Sequence, residues 1–242
     1  MGRHYYSPRR RSAESNTQLD YTRRFLLRST FRFMRNLVAD YQGHLNDEDF
    51  FAPVASRIGD TVLRRIFNGS TAPALRRTLL ELDRDDKIDL SGESPETLLH
   101  RLWEHPRTNA KFRELLTAHL DSELERMREL WGDDPAPEER RFAELREFFR
   151  LTRAESDLVL LSRLTLGFWN CDDLRGTISY GKFNRFACAL GIPEAELQKI
   201  GREDGRLRQL ECVDEDLDFN RKLLPFLSGA DDTPLAANYY SA

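Results

Sequence analysis

The chain has 242 residues, 40% of them apolar and 32% charged, with a formal net charge of −4 and a pI near 5.8. That length fits one large or two small domains, and the acidic balance excludes a nucleic-acid binder that uses its whole surface, because such surfaces are basic. Three cysteines without pairing-type spacing, Cys171, Cys188 and Cys212, no apolar run of the ~18 residues that span a bilayer, and an N-terminus without an apolar segment read as a cytosolic protein with free thiols.

Residues 1–16, "MGRHYYSPRRRSAESN", set Arg3, Arg9, Arg10 and Arg11 against the single acid Glu14. The expectation is a disordered, solvated basic arm; the alternative is an arm that touches a phosphate backbone or an acidic partner. From about Thr17 to Gln42 the pattern is helical. Arg24, Arg28, Arg32 and Arg35 recur at spacings of four and three and so share one face, while Phe25, Leu26, Phe33, Met34, Leu37 and Tyr41 supply apolar surface on the others. The preferred reading is a bundle helix with one solvated arginine face; the sharper one is a basic face that binds a partner groove or a membrane surface.

Further helices are expected near 47–68, 72–84, 95–104, 107–130 and 137–149. Ser94-Pro95-Glu96 offers an N-cap, a proline at the first helical position and an acid in the first turn. Strand signals are nearly absent before residue 175, so residues 17–133 read as a helical bundle. "WGDDPAPEER", residues 131–140, breaks the apolar periodicity with a glycine and two prolines and is the candidate boundary. A second module is expected over 150–230. It opens on Thr152-Arg153-Ala154-Glu155, a capping-box pattern, followed by the strongly apolar "ESDLVLLSRLTLGFW". Around 207–222 two short runs flank the acidic Asp214-Glu215-Asp216 and read as a small hairpin. Residues 231–242 read as an irregular tail.

Motifs for chemistry do not emerge. "DRDDKIDLSGES", residues 83–94, starts like a calcium loop but places Lys87, Ile88 and Ser94 where an acid, the turn glycine and the bidentate glutamate belong. There is no H-E-x-x-H, C-x-x-C, G-x-S-x-G or G-x-G-x-x-G. Trp103, Trp131 and Trp169 read as helix-end or core packing. No catalytic residue, cofactor or metal ligand is therefore nominated, and the expectation is a protein that is not an enzyme.

The stretch "KFNRFACALGIPEAELQKIGRED", residues 182–204, is two helical runs meeting at Gly191. With Ala187 four residues before that glycine and Phe186, Leu190, Ile192, Leu197 and Ile200 apolar, it resembles the helix-turn-helix pattern. The helix before it and the hairpin after it resemble a winged-helix arrangement. The expected fold class is thus mainly α: a helical bundle followed by a winged-helix-like module with one small β-hairpin. If that module read DNA, the resemblance would put Gln198, Lys199 and Arg202 at base edges or phosphates. Asp214, Glu215 and Asp216 stand where a DNA-binding wing carries basic residues, which makes a protein contact the preferred use.

Over residues 150–240 the pattern "LTRAESDLVLLSRLTLGFW…KFNRFACALGIPEAELQKI…NRKLLPFLSGADDTPLAANYY" resembles the region that precedes the ATPase core in bacterial AAA-family ATPases. The resemblance implies a regulatory or recruiting module that meets a protein partner and couples it to the motor, either as the front of a longer chain or as a stand-alone relative. No G-x-x-x-x-G-K-[ST] phosphate loop occurs here, so the chain is not expected to hydrolyse ATP itself. The runner-up is a winged-helix DNA-binding regulator.

Overall fold

A computed structural model describes residues 21–68, 93–132, 135–169, 182–202 and 204–228, together with 73, 76–77, 80–81 and 235. The basic arm, the acidic stretch 83–92, Cys171 and most of the tail lie outside the described residues.

The described residues are mainly helical. In chain order they form α1 (Tyr21–Asp40), α2 (Ala52–Val54), α3 (Asp60–Asn68), α4 (Pro95–Glu104), α5 (Asn109–Trp131), α6 (Pro137–Phe148), α7 (Arg153–Gly167), α8 (Lys182–Leu190), α9 (Glu194–Ile200), α10 (Arg206–Gln209) and α11 (Leu224–Ser228). A 3-10 turn (Glu48–Phe51) leads into α2 and a π turn (Ala55–Gly59) joins α2 to α3. Residues 73, 76, 77, 80 and 81 are also helical.

The local chemistry explains the boundaries. Ser94 caps α4 by accepting the Thr97 amide, with Pro95 fixing φ at the first position. Thr152 and Glu155 close a reciprocal capping box on α7. Gly59, in the π turn, would place a Cβ 3.1 Å from the Pro95 Cβ, so its lack of a side chain lets α4 start directly against the turn.

α1 organises the molecule. Its Phe31, Phe33, Met34, Leu37 and Val38 are essentially fully buried, because other helices cover most of its circumference. It packs on α5, α6, α7 and α8. Buried residues before residue 131 and after residue 150 accordingly belong to one contiguous core. An aromatic cluster reinforces the junction: Phe50 stacks near Phe51 (centroids 5.0 Å apart) and Trp169 (5.5 Å), and the Trp169 indole donates to the Phe50 carbonyl at 3.0 Å. That bond satisfies a fully buried indole nitrogen. Arg113 of α5, itself buried, donates to the carbonyls of Val38 (2.8 Å) and Ala39 (2.7 Å) and to the Gln42 amide oxygen (2.6 Å). It thereby serves carbonyls that the end of α1 leaves open.

The arginine face of α1 differs from the solvated face expected. Arg28 reaches Glu139 on α6 at 2.5 Å, Arg32 reaches Asp157 on α7 at 2.6 Å and Arg35 reaches Asp121 on α5 at 2.9 Å. The Arg24 guanidinium lies 5.7 Å from the centroid of Trp131. These arginines stay partly exposed, and because α1 is central each also finds a partner on a neighbouring helix.

The segment expected as a hairpin is compact. Arg206–Gln209 is a helical turn, Glu211 and Leu217 take left-handed φ values of 50° and 59°, and the described residues there hold one antiparallel bridge, Val213 to Phe219. No other bridge and no strand occurs among the described residues.

Candidate functional site

The elements around residues 182–202 present an exposed helix, with a cleft beside it. α8 ends at a tight turn. Gly191 has φ +68°, its amide donates to the Cys188 carbonyl at 3.1 Å, and the Ile192 amide donates to the Ala187 carbonyl at 3.1 Å. This left-handed position favours glycine. Pro193 then opens α9, its carbonyl accepting from the Glu196 and Leu197 amides, and Glu194 and Glu196 complement the helix dipole in the first turn.

The pair of helices is held on α1 by polar contacts. The Asn36 side-chain amide donates to the Ala189 carbonyl at 3.0 Å, and the Arg185 Nε donates to the Tyr41 hydroxyl at 3.1 Å. Ala187 and Ala189 are buried, and Leu197 is the buried residue of α9. α9 therefore lies on the outside. Glu194, Ala195, Glu196, Gln198 and Lys199 are exposed, as is Arg202 just beyond it. Gln198, Lys199 and Arg202, the residues singled out from the sequence, are thus all accessible. Gln198 donates to the Glu194 carboxylate at 3.3 Å. The exposed charges balance, two acids against two bases, over a helix about 10 Å long.

Beyond α9 the surface becomes acidic. Asp214 and Glu215 are exposed, and the Asp214 carboxylate accepts from the amides of Asp216 and Asp218, each at 2.9 Å. Two arginines nearby are held by carbonyls. Arg206 donates to Phe149 and Arg150, and Arg208 to Glu215 at 2.8 Å.

A cleft of about 720 Å³ runs between α1, the start of α7 and the α8–α9 turn. Phe33, Leu190, Ile192 and Ile200 supply its apolar lining; Asn36, Arg153, Asp157 and Glu196 supply polar atoms. Arg32 and Asp157 meet in it, and Arg153 stands 3.9 Å from the same carboxylate with a largely exposed side chain. Neither the proximity of Arg32 to Asp157 nor the role of Asn36 was foreseen from the sequence. The only signal for Asn36 was a single amide side chain within α1.

The thiols near this region are not activated. Burial pushes the Cys212 thiol up to about 12, with Glu155 adding to the effect. Burial also raises Cys188, with Asp40 acting in the same direction. Both favour the neutral thiol over the nucleophilic thiolate at neutral pH. Among the described residues no group of three or more His, Cys, Asp or Glu side chains is placed to hold a metal ion, and no helix is long and apolar enough to cross a membrane.

Comparison with protein-family models, with curated proteins and with solved structures returns no match.

Proposed function

We propose that the chain is a non-catalytic protein-interaction and regulatory module, with residues 150–230 acting as a winged-helix-like unit that recruits a partner or substrate protein. The observation that carries this reading is the charge on the outer surface of α9 and the turns after it. Glu194 and Glu196 offset Lys199 and Arg202, and Asp214 and Glu215 follow. A duplex-binding surface draws affinity from neutralising phosphates, and this one would repel as many as it attracts. The adjacent cleft, with apolar lining and charged rim, has the chemistry of a protein contact.

In this reading the partner is coupled to a bacterial AAA-type ATPase, in the same chain or in another. The coupling rests on the resemblance of residues 150–240 alone. The test is a photo-crosslinking side chain at Ala195, exposed in the middle of α9, activated in cells. A protein adduct whose chain, or whose tight complex, carries a nucleotide-binding phosphate loop is the expected result. An adduct with nucleic acid would replace this reading with the DNA-binding one, in which Gln198, Lys199 and Arg202 contact the duplex.

A further inference from the structure

The cleft between α1, the start of α7 and the α8–α9 turn gathers five charged side chains, Arg32, Arg153, Glu155, Asp157 and Glu196. Two are cationic and three anionic, so together they carry a formal −1. Four of the five are answered from within. Arg32 meets one oxygen of Asp157 at 2.6 Å, and Arg153 stands 3.9 Å from the other. Glu155 accepts the Thr152 amide at 2.7 Å in the first turn of α7, where the helix dipole also favours its charge. The wall built by α1 and α7 therefore sums to zero. The α9 wall carries the charge of Glu196, which is exposed and has no ion-pair or hydrogen-bond partner among the described residues.

Asn36 adds a second open acceptor. Its Nδ2 donates to the Ala189 carbonyl at 3.0 Å, which fixes the orientation of the amide. Its Oδ1 has no hydrogen-bond partner among the described residues. Both groups call for a donor, and Glu196 calls for a charged one. Beside them lies apolar surface. Phe33 and Leu190 are buried, and Ile192 and Ile200 are half-buried, packed on the core but still reachable.

We propose that this cleft receives a segment of the partner protein in which an arginine or lysine stands beside an apolar side chain. The inference rests on the recruiting role proposed above and supplies the partner's chemistry. The apolar side chain packs on Ile192 and Ile200, and the cation reaches Glu196, with Asn36 Oδ1 as a further acceptor. An acidic peptide or a phosphate backbone would meet a lining of its own sign.

The test pans a random heptapeptide display library against the full chain at physiological salt. Peptides with Arg or Lys next to Leu, Ile, Met or Phe are expected to be enriched, and Glu196→Lys is expected to turn that preference toward Asp and Glu. Ala154→Trp, which fills the cleft from the α7 wall, is expected to abolish the enrichment. A selected peptide, labelled with fluorescein and read by anisotropy, should lose about tenfold in affinity to Glu196→Lys and about two- to fivefold to Glu196→Gln. Glu144→Lys, a reversal at an exposed acid outside the cleft, should change it less than about twofold. Circular dichroism checks that each variant keeps its helices. No enrichment, enrichment of acidic peptides on the parent chain, binding indifferent to the Glu196 and Ala154 changes, or self-association of the chain lost in Glu196→Lys would each overturn the proposal. A protein adduct at Ala195 without cationic enrichment would sink this inference and leave the recruiting role standing; a nucleic-acid adduct there would sink both.

Discussion

The arginines of α1 and those of residues 61–80 are the same residue type, on amphipathic helices, in opposite situations. Arg28, Arg32 and Arg35 each meet a carboxylate from a different helix, whereas Arg64, Arg65, Arg76 and Arg77 have no partner among the described residues. The difference follows from position. α1 is surrounded, so any charged face on it must be answered from within. α3 buries one stripe, Val62 and Leu63, and turns its charge outward. An arginine pattern on a helix therefore acquires meaning only once the surroundings of that helix are known.

Substitutions can break or sharpen this contrast. The largest effect is expected at Arg113, which closes the α1 end of the paired system. Arg113→Met leaves the carbonyls of Val38 and Ala39 buried without its donors and should lower stability by about 3 kcal/mol, read as a lower urea midpoint at unchanged slope. The exposed-edge pairs come next. A double-mutant cycle on Arg32 and Asp157 should give a coupling of about 0.5–1 kcal/mol, reduced by salt because both side chains retain some exposure to water. A coupling indistinguishable from zero would mean that the pairing is geometric only.

Arg65 also acts electrostatically on His119 of α5. Burial, followed by the charge of Arg65, lowers its pKa from the ordinary value near 6.5. A folded-state pKa below the unfolded one means that the unfolded chain takes up the proton first as pH falls. Stability from this group is full above the unfolded value, declines as pH drops below it, and levels off below the folded value. His119→Gln should flatten that part of the stability profile, and Arg65→Glu should shift its lower limit upward. A profile unchanged by both would remove His119 from the account. The smallest effect is expected at the four outward arginines: Arg64→Ala, Arg65→Ala, Arg76→Ala and Arg77→Ala should each stay within about 0.5 kcal/mol of the parent. A larger loss would show an intramolecular role.

The sequence carried the helices well where the signals were local. Ser94-Pro95 and the Thr152–Glu155 box mark the starts of α4 and α7, and Gly191-Ile192-Pro193 marks the turn before α9, because capping and turn chemistry act within a few residues. It carried the partners of α1 poorly. Arg28 meets a residue 111 positions away and Arg32 one 125 positions away, and helical periodicity has no access to such separations. Around 206–219 the alternation of apolar and polar residues resembled strands, yet Gly205 starts a helical turn and left-handed backbone at Glu211 and Leu217 interrupts extension, leaving one bridged pair. The residues of α9 that face outward could be named in advance. The cleft beside them could not, since α1, α7 and α9 build it jointly.

The central place of α1 also has a consequence for how the protein is made. Asn36 is made 153 residues before its partner Ala189. At roughly 5–20 residues per second on the ribosome, the apolar flanks of α1 stay without α8 for about 8–30 s. During that interval the growing chain displays Phe31, Phe33 and Leu37, buried in the finished fold, without their final cover, so nascent-chain holding factors have a defined target in this segment.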